Sequence, residues 1–456
     1  VKRLCPNITI IMGEPEIHES SWALTGLHES VSFFFSGEGE WFFQRYITGA
    51  SLDPYTRSIN GNALIVQPHD QPLRAEDIIE PFTSGYLNPV ADGSIFLEMT
   101  RGCPYRCSYC YYSKNCATIR EQPFDTLLDA IALRHTWDLS EIYILSPTFN
   151  KTAHFLDKLD HLASIDHGIR LHTELRADGI NSALAKKIYT AGFKSLEVGL
   201  QTLTPEALQR AGRNTSIEKE LSGMRALHDA GIDLKIGIIP GLPGDSPESF
   251  SKTIDTLTNL GFAESIEYYP LMVLPGTRIR ETAIQEEAHF QPTPPYYFTE
   301  GWGFDFYSLR DLTRHIEQTT GLTHVVRSLP DFTKPKKGML CRGVRFNGDD
   351  DHNWDAHSYS RLIQTSVFTF FVDICHQEML PRRLNILCRA LPKEDQLYNL
   401  VLFHDKLLNE KSLTPVLEAA GGDSLFTRTH IFHEFRDGLI MMPYQVFSSP
   451  SRYAQA

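Results

Sequence analysis

The chain has 456 residues and a mass of 51.8 kDa, which at roughly 100–200 residues per domain leaves room for more than one domain. Its 43 Lys and Arg against 56 Asp and Glu give a net charge of -13, which argues against a protein built to grip nucleic-acid phosphates or an anionic membrane. No stretch approaches the ~18 uncharged apolar residues of a membrane span and no basic-then-apolar leader opens the chain, so a cytoplasmic setting is expected.

Ile8 to Met12 reads as a short strand that ends at Gly13, and a polar stretch of helical character follows. Val31 to Phe35 reads as a second strand, closed by Gly37-Glu38-Gly39-Glu40 and followed by an amphipathic helix around Trp41, Phe42 and Tyr46. Strand, helix, strand, helix is the rhythm of an open parallel sheet. Two strands are too few for a stable doubly wound domain, and the chain opens on Val1, so residues 1–50 are expected to be the end of a longer Rossmann-like domain. Residues 51–93 hold Pro54, Pro68, Pro72, Pro81 and Pro89 without sustained periodicity and read as a linker.

From 94 to 285 the pattern becomes regular. Candidate strands at 95–99, 141–145, 170–175, 195–200, 233–239 and 265–272 alternate with helices at 123–137, 152–165, 181–191, 205–211, 217–230 and 246–260. Asn181, Thr204-Pro205 and Ser246-Pro247 supply helix starts; Gly192, Gly231 and Gly261 supply stops. Six such units predict an α/β fold, a partial parallel (β/α)6 barrel, because a full eightfold barrel needs about 250 residues. Residues 286–456 read as a separate, mostly helical accessory region that helps select substrate, with helices over 309–319, 359–377 and 394–409. Its aromatics Tyr296, Tyr297, Trp302, Phe304, Phe306 and Tyr307 fit ordinary core better than a binding pocket.

The eight cysteines are too sparse for a disulfide scaffold, and three of them, Cys103, Cys107 and Cys110, crowd into one loop after the first barrel strand. The run Arg101-Gly102-Cys103-Pro104-Tyr105-Arg106-Cys107-Ser108-Tyr109-Cys110 has the spacing C-x3-C-x2-C. Three thiolates on one loop can bind three corners of a four-iron cluster and leave the fourth iron open to another ligand. A structural zinc ion is the alternative, but it wants four ligands, and only Cys116 lies close by. Cys5 stands apart, and Cys341, Cys375 and Cys388 match no ligand spacing and read as buried thiols.

This motif, with Tyr109 before the third cysteine and a barrel around it, resembles the radical S-adenosylmethionine (radical SAM) superfamily over residues 94–285. The resemblance implies a 4Fe-4S cluster on Cys103, Cys107 and Cys110 that binds S-adenosylmethionine and cleaves it reductively to a 5′-deoxyadenosyl radical, with a one-electron donor such as flavodoxin or ferredoxin. It also implies cofactor-binding positions at the strand ends. Ser146 and Thr148 stand where relatives carry Gly-Gly-Glu for the methionine amine, a departure that leaves them as positional candidates. Glu174 and Arg176 end the third strand, with a surface ion pair as the alternative reading. Glu197 and Gln201 match the ribose segment, Arg213 suits the methionine carboxylate, and Gly237 opens the Gly/Pro-rich turn whose backbone approaches adenine.

Within that superfamily, Gly37-Glu38-Gly39-Glu40 upstream of the cysteines and Leu274-Pro275-Gly276-Thr277 after the sixth strand resemble cobalamin-binding members. The resemblance implies that Gly13, Glu14 and the Gly37–Glu40 tract approach the cobalamin, and that a methyl group passes to an unactivated carbon of a small-molecule or peptide substrate. The Asp-x-His-x-x-Gly cobalt-ligand motif is missing. Rearrangement, cyclisation or methylthiolation by another radical SAM chemistry, a zinc-stabilised binding module and a non-catalytic barrel stay open as alternatives.

Overall fold

The computed structural model describes residues 7–13, 17, 31–59, 62–67, 72–89, 93–112, 119–291 and 296–321, and the strand segments 343–347, 367–374, 397–404, 434–436 and 439–447. The chain divides into two units, residues 9–290 with 298–304, and residues 1–8, 291–297 and 305–456.

In the larger unit β1 (Ile11–Met12) and β2 (Phe33–Ser36) pair in parallel, and helix α1 (Gly39–Thr48) follows. The stretch read as linker contributes sheet: β3 (Thr56–Ile59) and β4 (Asn62–Val66) form a hairpin, and β4 pairs in parallel with β2, giving the order β1-β2-β4-β3. Phe34 packs with Leu64 on one face and Phe35 with Ile65, Trp41 and Phe42 on the other. A strand buried on both faces is a continuous apolar run rather than an alternation, and a run this short between prolines escapes a periodicity search.

The barrel strands are β5 (Ser94–Glu98), β8 (Glu141–Leu145), β9 (Arg170–Leu175), β10 (Phe193–Gln201), β11 (Asp233–Ile238) and β12 (Ile266–Tyr268). They form one six-stranded sheet, β12-β11-β10-β9-β8-β5, in which every neighbouring pair is parallel. A short antiparallel pair, β6 (Thr100–Arg101) with β7 (Arg120–Glu121), sits between β5 and helix α2 (Phe124–Ala132). The remaining helices are α3 (Phe155–Ser164), α4 (Ser182–Thr190), α5 (Pro205–Arg210), α6 (Ile217–Asp229), α7 (Pro247–Asn259) and α8 (Arg278–Gln285).

Strand alternation sorts the side chains. Ile142, Ile144, Leu196, Val198, Ile236 and Ile238 are buried on the helix side. Phe96, Tyr143 and His172 belong to the opposite set and meet across three strands, Phe96 stacked on Tyr143 and His172 tilted against it, with centroids 5.0 and 4.9 Å apart. Asn181 and Ser246 cap α4 and α7 as the sequence predicts, whereas Thr204 turns its hydroxyl to Asp245 instead of capping α5. After β13 (His289–Phe290) and β14 (Phe298–Glu300), Phe298 stacks on Trp302 at 4.9 Å and meets Phe304 at 6.4 Å, which places these rings in local core.

The smaller unit corrects the expectation of a mostly helical region. Helix α9 (Phe306–Thr320) matches the first expected helix. The described parts of 359–377 and 394–409 are strands β16 (Val367–Ile374) and β17 (Leu397–His404). With β15 (Gly343–Asn347), β18 (Glu434–Arg436) and β19 (Leu439–Phe447) they form a mixed sheet of order β15-β16-β17-β19-β18, parallel through β15, β16 and β17 and antiparallel at β19. The physical reason lies in composition. Every residue of β16 except Asp373 is aromatic or β-branched, which favours a strand, and unbroken apolar runs carry no period to separate strand from helix. Cys5, Glu14, Cys116, Cys341, Cys375 and Cys388 lie outside the described residues. Among the described residues no helix is long and apolar enough to cross a membrane.

Candidate active site

The cysteine loop leaves the C-terminal end of β5 through β6, turns at Gly102 with φ +95°, and is held by main-chain bonds from two other elements. The Ser108 amide donates to the carbonyl of Ala211 at 2.8 Å, and the Ile279 amide donates to the Ser108 carbonyl at 3.0 Å. The end of α5 and the start of α8 thus grip the middle of the loop. Cys103 is buried, with Thr148 Oγ1 at 4.0 Å, and that burial pushes its thiol pKa up. Tyr109 lies against Cys107; burial first and the Cys107 charge second raise its phenol well above the ordinary range, so it keeps its proton. Among the described residues no three His, Cys, Asp or Glu side chains converge on a point where one metal ion would fit.

Two buried arginines flank the loop. Arg176 lies over the Tyr105 ring at 4.3 Å, and its Nη2 donates to Asp178 at 2.9 Å, to the Asn214 carbonyl at 3.2 Å and to Glu220 at 3.5 Å. Arg213 Nη2 donates to the Gly199 carbonyl and to Glu220 at 3.3 Å. Burial works against the Arg213 charge, but Glu220 and Cys107 beside it outweigh that and hold the guanidinium protonated. Arg176 Nε and Nη1, Arg213 Nε, Gln201 Oε1 and Ser108 Oγ are buried with no hydrogen-bond partner among the described residues. Buried donors in that state are satisfied by a ligand or water, and guanidinium N–H groups suit a carboxylate.

The surface ion pair that was the alternative reading of Glu174 and Arg176 is not formed, because β9 ends at Leu175 and the chain turns away before Arg176. Arg176 turns to Asp178 and Glu220, while Glu174 stands in register beside Glu197 on β10. Desolvation by the barrel wall, and then the Glu197 charge, push the Glu174 carboxyl up to about 7. Tyr269 donates to Glu267 at 2.5 Å and to Glu197 at 3.4 Å, and burial with the Lys235 charge pushes His172 down to about 4. Ser146 accepts from Thr100 at 2.7 Å, a link between two strand ends.

Gly199 and Gly237 face each other in register on β10 and β11. A Cβ on Gly199 would come within 2.4 Å of Gln201 Nε2, and one on Gly237 within 3.1 Å of the Tyr269 ring. The pair leaves a strip of bare backbone that Cβ atoms would fill. Next to it Gln201 takes φ +75°, a left-handed conformation costly for a non-glycine residue. The loop beyond β11 is fixed by Asp245, which accepts from Thr202 at 2.6 Å, Thr204 at 2.9 Å and the Ser246 amide at 2.9 Å.

Three free thiols on one loop, orphaned guanidinium donors and a glycine strip are a donor set that an iron–sulfur cluster and an aminoacyl nucleoside would suit. Glu220 and Asp245 are absent from the sequence reading, and Tyr105 entered it only as part of the cysteine run, with no role of its own. Arg176, which meets both Glu220 and Tyr105, and Thr202 and Thr204, which meet Asp245, lie more than 40 residues from them, and no local motif marks the contacts.

Comparison with known proteins agrees. Residues 97–257 match the radical SAM superfamily. This chain carries a radical SAM domain. It is 22% identical over 329 residues to the cobalamin-dependent radical SAM methyltransferase TokK of Streptomyces tokunonensis, covering 66% of this chain and 48% of TokK. It is 22% identical over 308 residues to the uncharacterized methyltransferase PH0819 of Pyrococcus horikoshii, covering 62% of this chain and 64% of that protein. The structure of OxsB, a cobalamin-dependent S-adenosylmethionine radical enzyme with aqua-cobalamin bound, superimposes with a TM-score of 0.52 at 14% identity, covering 67% of this chain and 53% of OxsB. The matched regions thus span about half to under two thirds of these relatives, and this chain, with its parallel six-stranded sheet, shares an α/β fold with OxsB.

Proposed function

We propose that this chain is a radical SAM enzyme that uses cobalamin to transfer a methyl group to an unactivated carbon of a small-molecule or peptide substrate. The observation that carries the radical SAM reading is the cysteine loop set between two buried arginines with unfilled donors. The printed names of TokK and OxsB, and the parallel strands β1, β2 and β4 ahead of the barrel, support the cobalamin part.

In this reading Cys103, Cys107 and Cys110 hold the 4Fe-4S cluster. Arg213 and Arg176 receive the carboxylate of S-adenosylmethionine, and Thr148, Ser146 and Tyr109 border its methionine end. Gly199, Gly237, Gln201 and Glu197 border its nucleoside. When bound, the cluster supplies the electron that breaks a carbon–sulfur bond, and the cobalamin supplies the methyl group. The protein's own work is to orient and to exclude water. Glu220 fixes both guanidinium groups, Tyr109 keeps its phenolic proton, and the rings of Phe96, Tyr143 and His172 fill one wall of the barrel interior. Glu174, pushed up to about 7, can hold or release a proton inside the barrel near neutral pH.

The test is anaerobic reconstitution with iron, sulfide and hydroxocobalamin, followed by metal analysis and assay of deoxyadenosine and S-adenosylhomocysteine. Four irons and one cobalt per chain with both nucleosides is the expected result. Iron and deoxyadenosine without cobalt would retain the radical SAM reading and discard methyl transfer from cobalamin.

A further inference from the structure

The Gly37-Glu38-Gly39-Glu40 tract does something the sequence reading did not assign. The cysteine loop leaves the barrel at Arg101 and returns at Arg120, and these two residues stand directly opposite each other where β6 pairs with β7. Two like charges facing each other across a strand pair repel. Glu38 lies between them, with Oε1 at 3.1 Å from Arg101 Nη1 and 2.8 Å from Arg120 Nη2. These side chains are 15–18% exposed, so the attraction is less screened than at an open surface. Arg101 is held further by Glu40 at 2.6 Å and by Glu98 at 2.6 and 2.9 Å.

Glu38 is itself fixed in place. Its Oε2 accepts from the Leu73 amide at 2.8 Å and from Gln67 Nε2 at 3.3 Å, and its own amide donates to Gln67 Oε1 at 2.5 Å. Gly37 allows this, because at φ +126° a Cβ would lie 2.5 Å from Gln67 Cβ. The carboxylate therefore comes from the end of β2, is anchored to the segment after β4, and reaches both ends of the cysteine loop.

We propose that Glu38 is a positioning residue for the three thiols: by pairing with Arg101 and Arg120 together it closes the neck of the cysteine loop and makes the N-terminal sheet the support on which the loop is held. The proposal rests on the reading of that loop as the cluster site only for its catalytic meaning; the mechanical coupling stands on the ion pairs alone. A rigid neck limits opening of the loop, and local opening sets how fast its groups meet solvent reagents.

The experiment uses the full chain in its metal-free form. Alkylation rates of Cys103, Cys107 and Cys110 by iodoacetamide, resolved by mass spectrometry, are compared with amide exchange over residues 100–112 in wild type, Glu38→Gln, Arg120→Gln and the double variant. The expected result is about a tenfold faster alkylation of Cys103 in each single variant, with the double variant no faster than the quicker single, because both remove one contact. After reconstitution, the electron paramagnetic resonance signal of the reduced cluster should broaden in Glu38→Gln. Wild-type alkylation and exchange in a folded Glu38→Gln protein would overturn the proposal. If Glu38→Gln does not fold, Arg120→Gln carries the same test, since it leaves the bonds from Glu38 to Gln67 and Leu73 in place. If Cys103→Ala, Cys107→Ala and Cys110→Ala all retain iron, the cluster reading fails while the alkylation result still decides the clamp.

Discussion

Arg176 and Arg213 both donate to the same carboxylate oxygen, Oε1 of Glu220, at 3.5 and 3.3 Å, and Thr215 donates to it at 2.9 Å. Glu220 is fully buried at 0% exposure, so two guanidinium groups beside the cysteine loop share one inaccessible anion, with Asp178 as a second partner of Arg176. Removing one partner of such a buried arrangement leaves charge uncompensated. Glu220→Ala is expected to lower the unfolding free energy by about 3–5 kcal/mol, with Glu220→Gln losing less, as read by urea denaturation. S-Adenosylmethionine affinity should fall in Glu220→Gln even where the fold is retained, since the guanidinium groups lose their common anchor.

Helix α6 approaches the exit of β9 so closely that a Cβ on Gly223 would lie 1.9 Å from the Ala177 carbonyl oxygen. Alanine is the better helix former by about 1 kcal/mol, but overpacking against backbone costs about 1–3 kcal/mol or more. The clash wins. Gly223→Ala is expected to lower the thermal midpoint, and a higher midpoint would show that α6 can shift outward at little cost.

Glu174 makes stability depend on pH in the direction opposite to a salt-bridged carboxylate. Its folded pKa, up to about 7, lies above the ordinary value of 4.5, so between those values the folded state binds the extra proton. That contribution is fully present below the unfolded pKa and is lost as pH rises through 7. Glu174→Gln should therefore have a higher thermal midpoint than wild type at pH 8, and the two should converge near pH 5.

Cys107 stands nearest the Arg213 and Tyr109 side of the loop. Cys107→Ala is expected to lose most of the iron taken up on reconstitution and to abolish deoxyadenosine formation, both measured on the same sample. Full activity in that variant would reject the cluster assignment.

The barrel was readable because each strand repeats one simple contrast. Ile142 and Ile144 bracket Tyr143, and Leu196 and Val198 bracket Glu197, so local alternation announces both the strand and its two faces. The cysteines were readable because all three ligands lie on one loop. The hairpin at Thr56–Ile59 and Asn62–Val66 was not, because its strands are short and β4 is buried on both faces. Strands β16 and β17 are hard to tell from helices for the related reason that mostly apolar runs with few polar residues show no clear period. Glu220 and Glu38 were invisible for a different reason. The first meets Arg176 44 residues away and the second meets Arg101 63 residues away, and nothing in the sequence around either carboxylate reports which cation it will find.

The Glu38 bridge has a consequence for modularity. A gene fragment encoding only 94–285 would retain the cysteines and all six barrel strands, yet Arg101 and Arg120 would face each other without Glu38 and Glu40. The unit that can be transplanted, fused or shuffled as a working piece therefore begins upstream of Gly37, inside the N-terminal sheet. A cut at the apparent domain border would divide a single electrostatic joint.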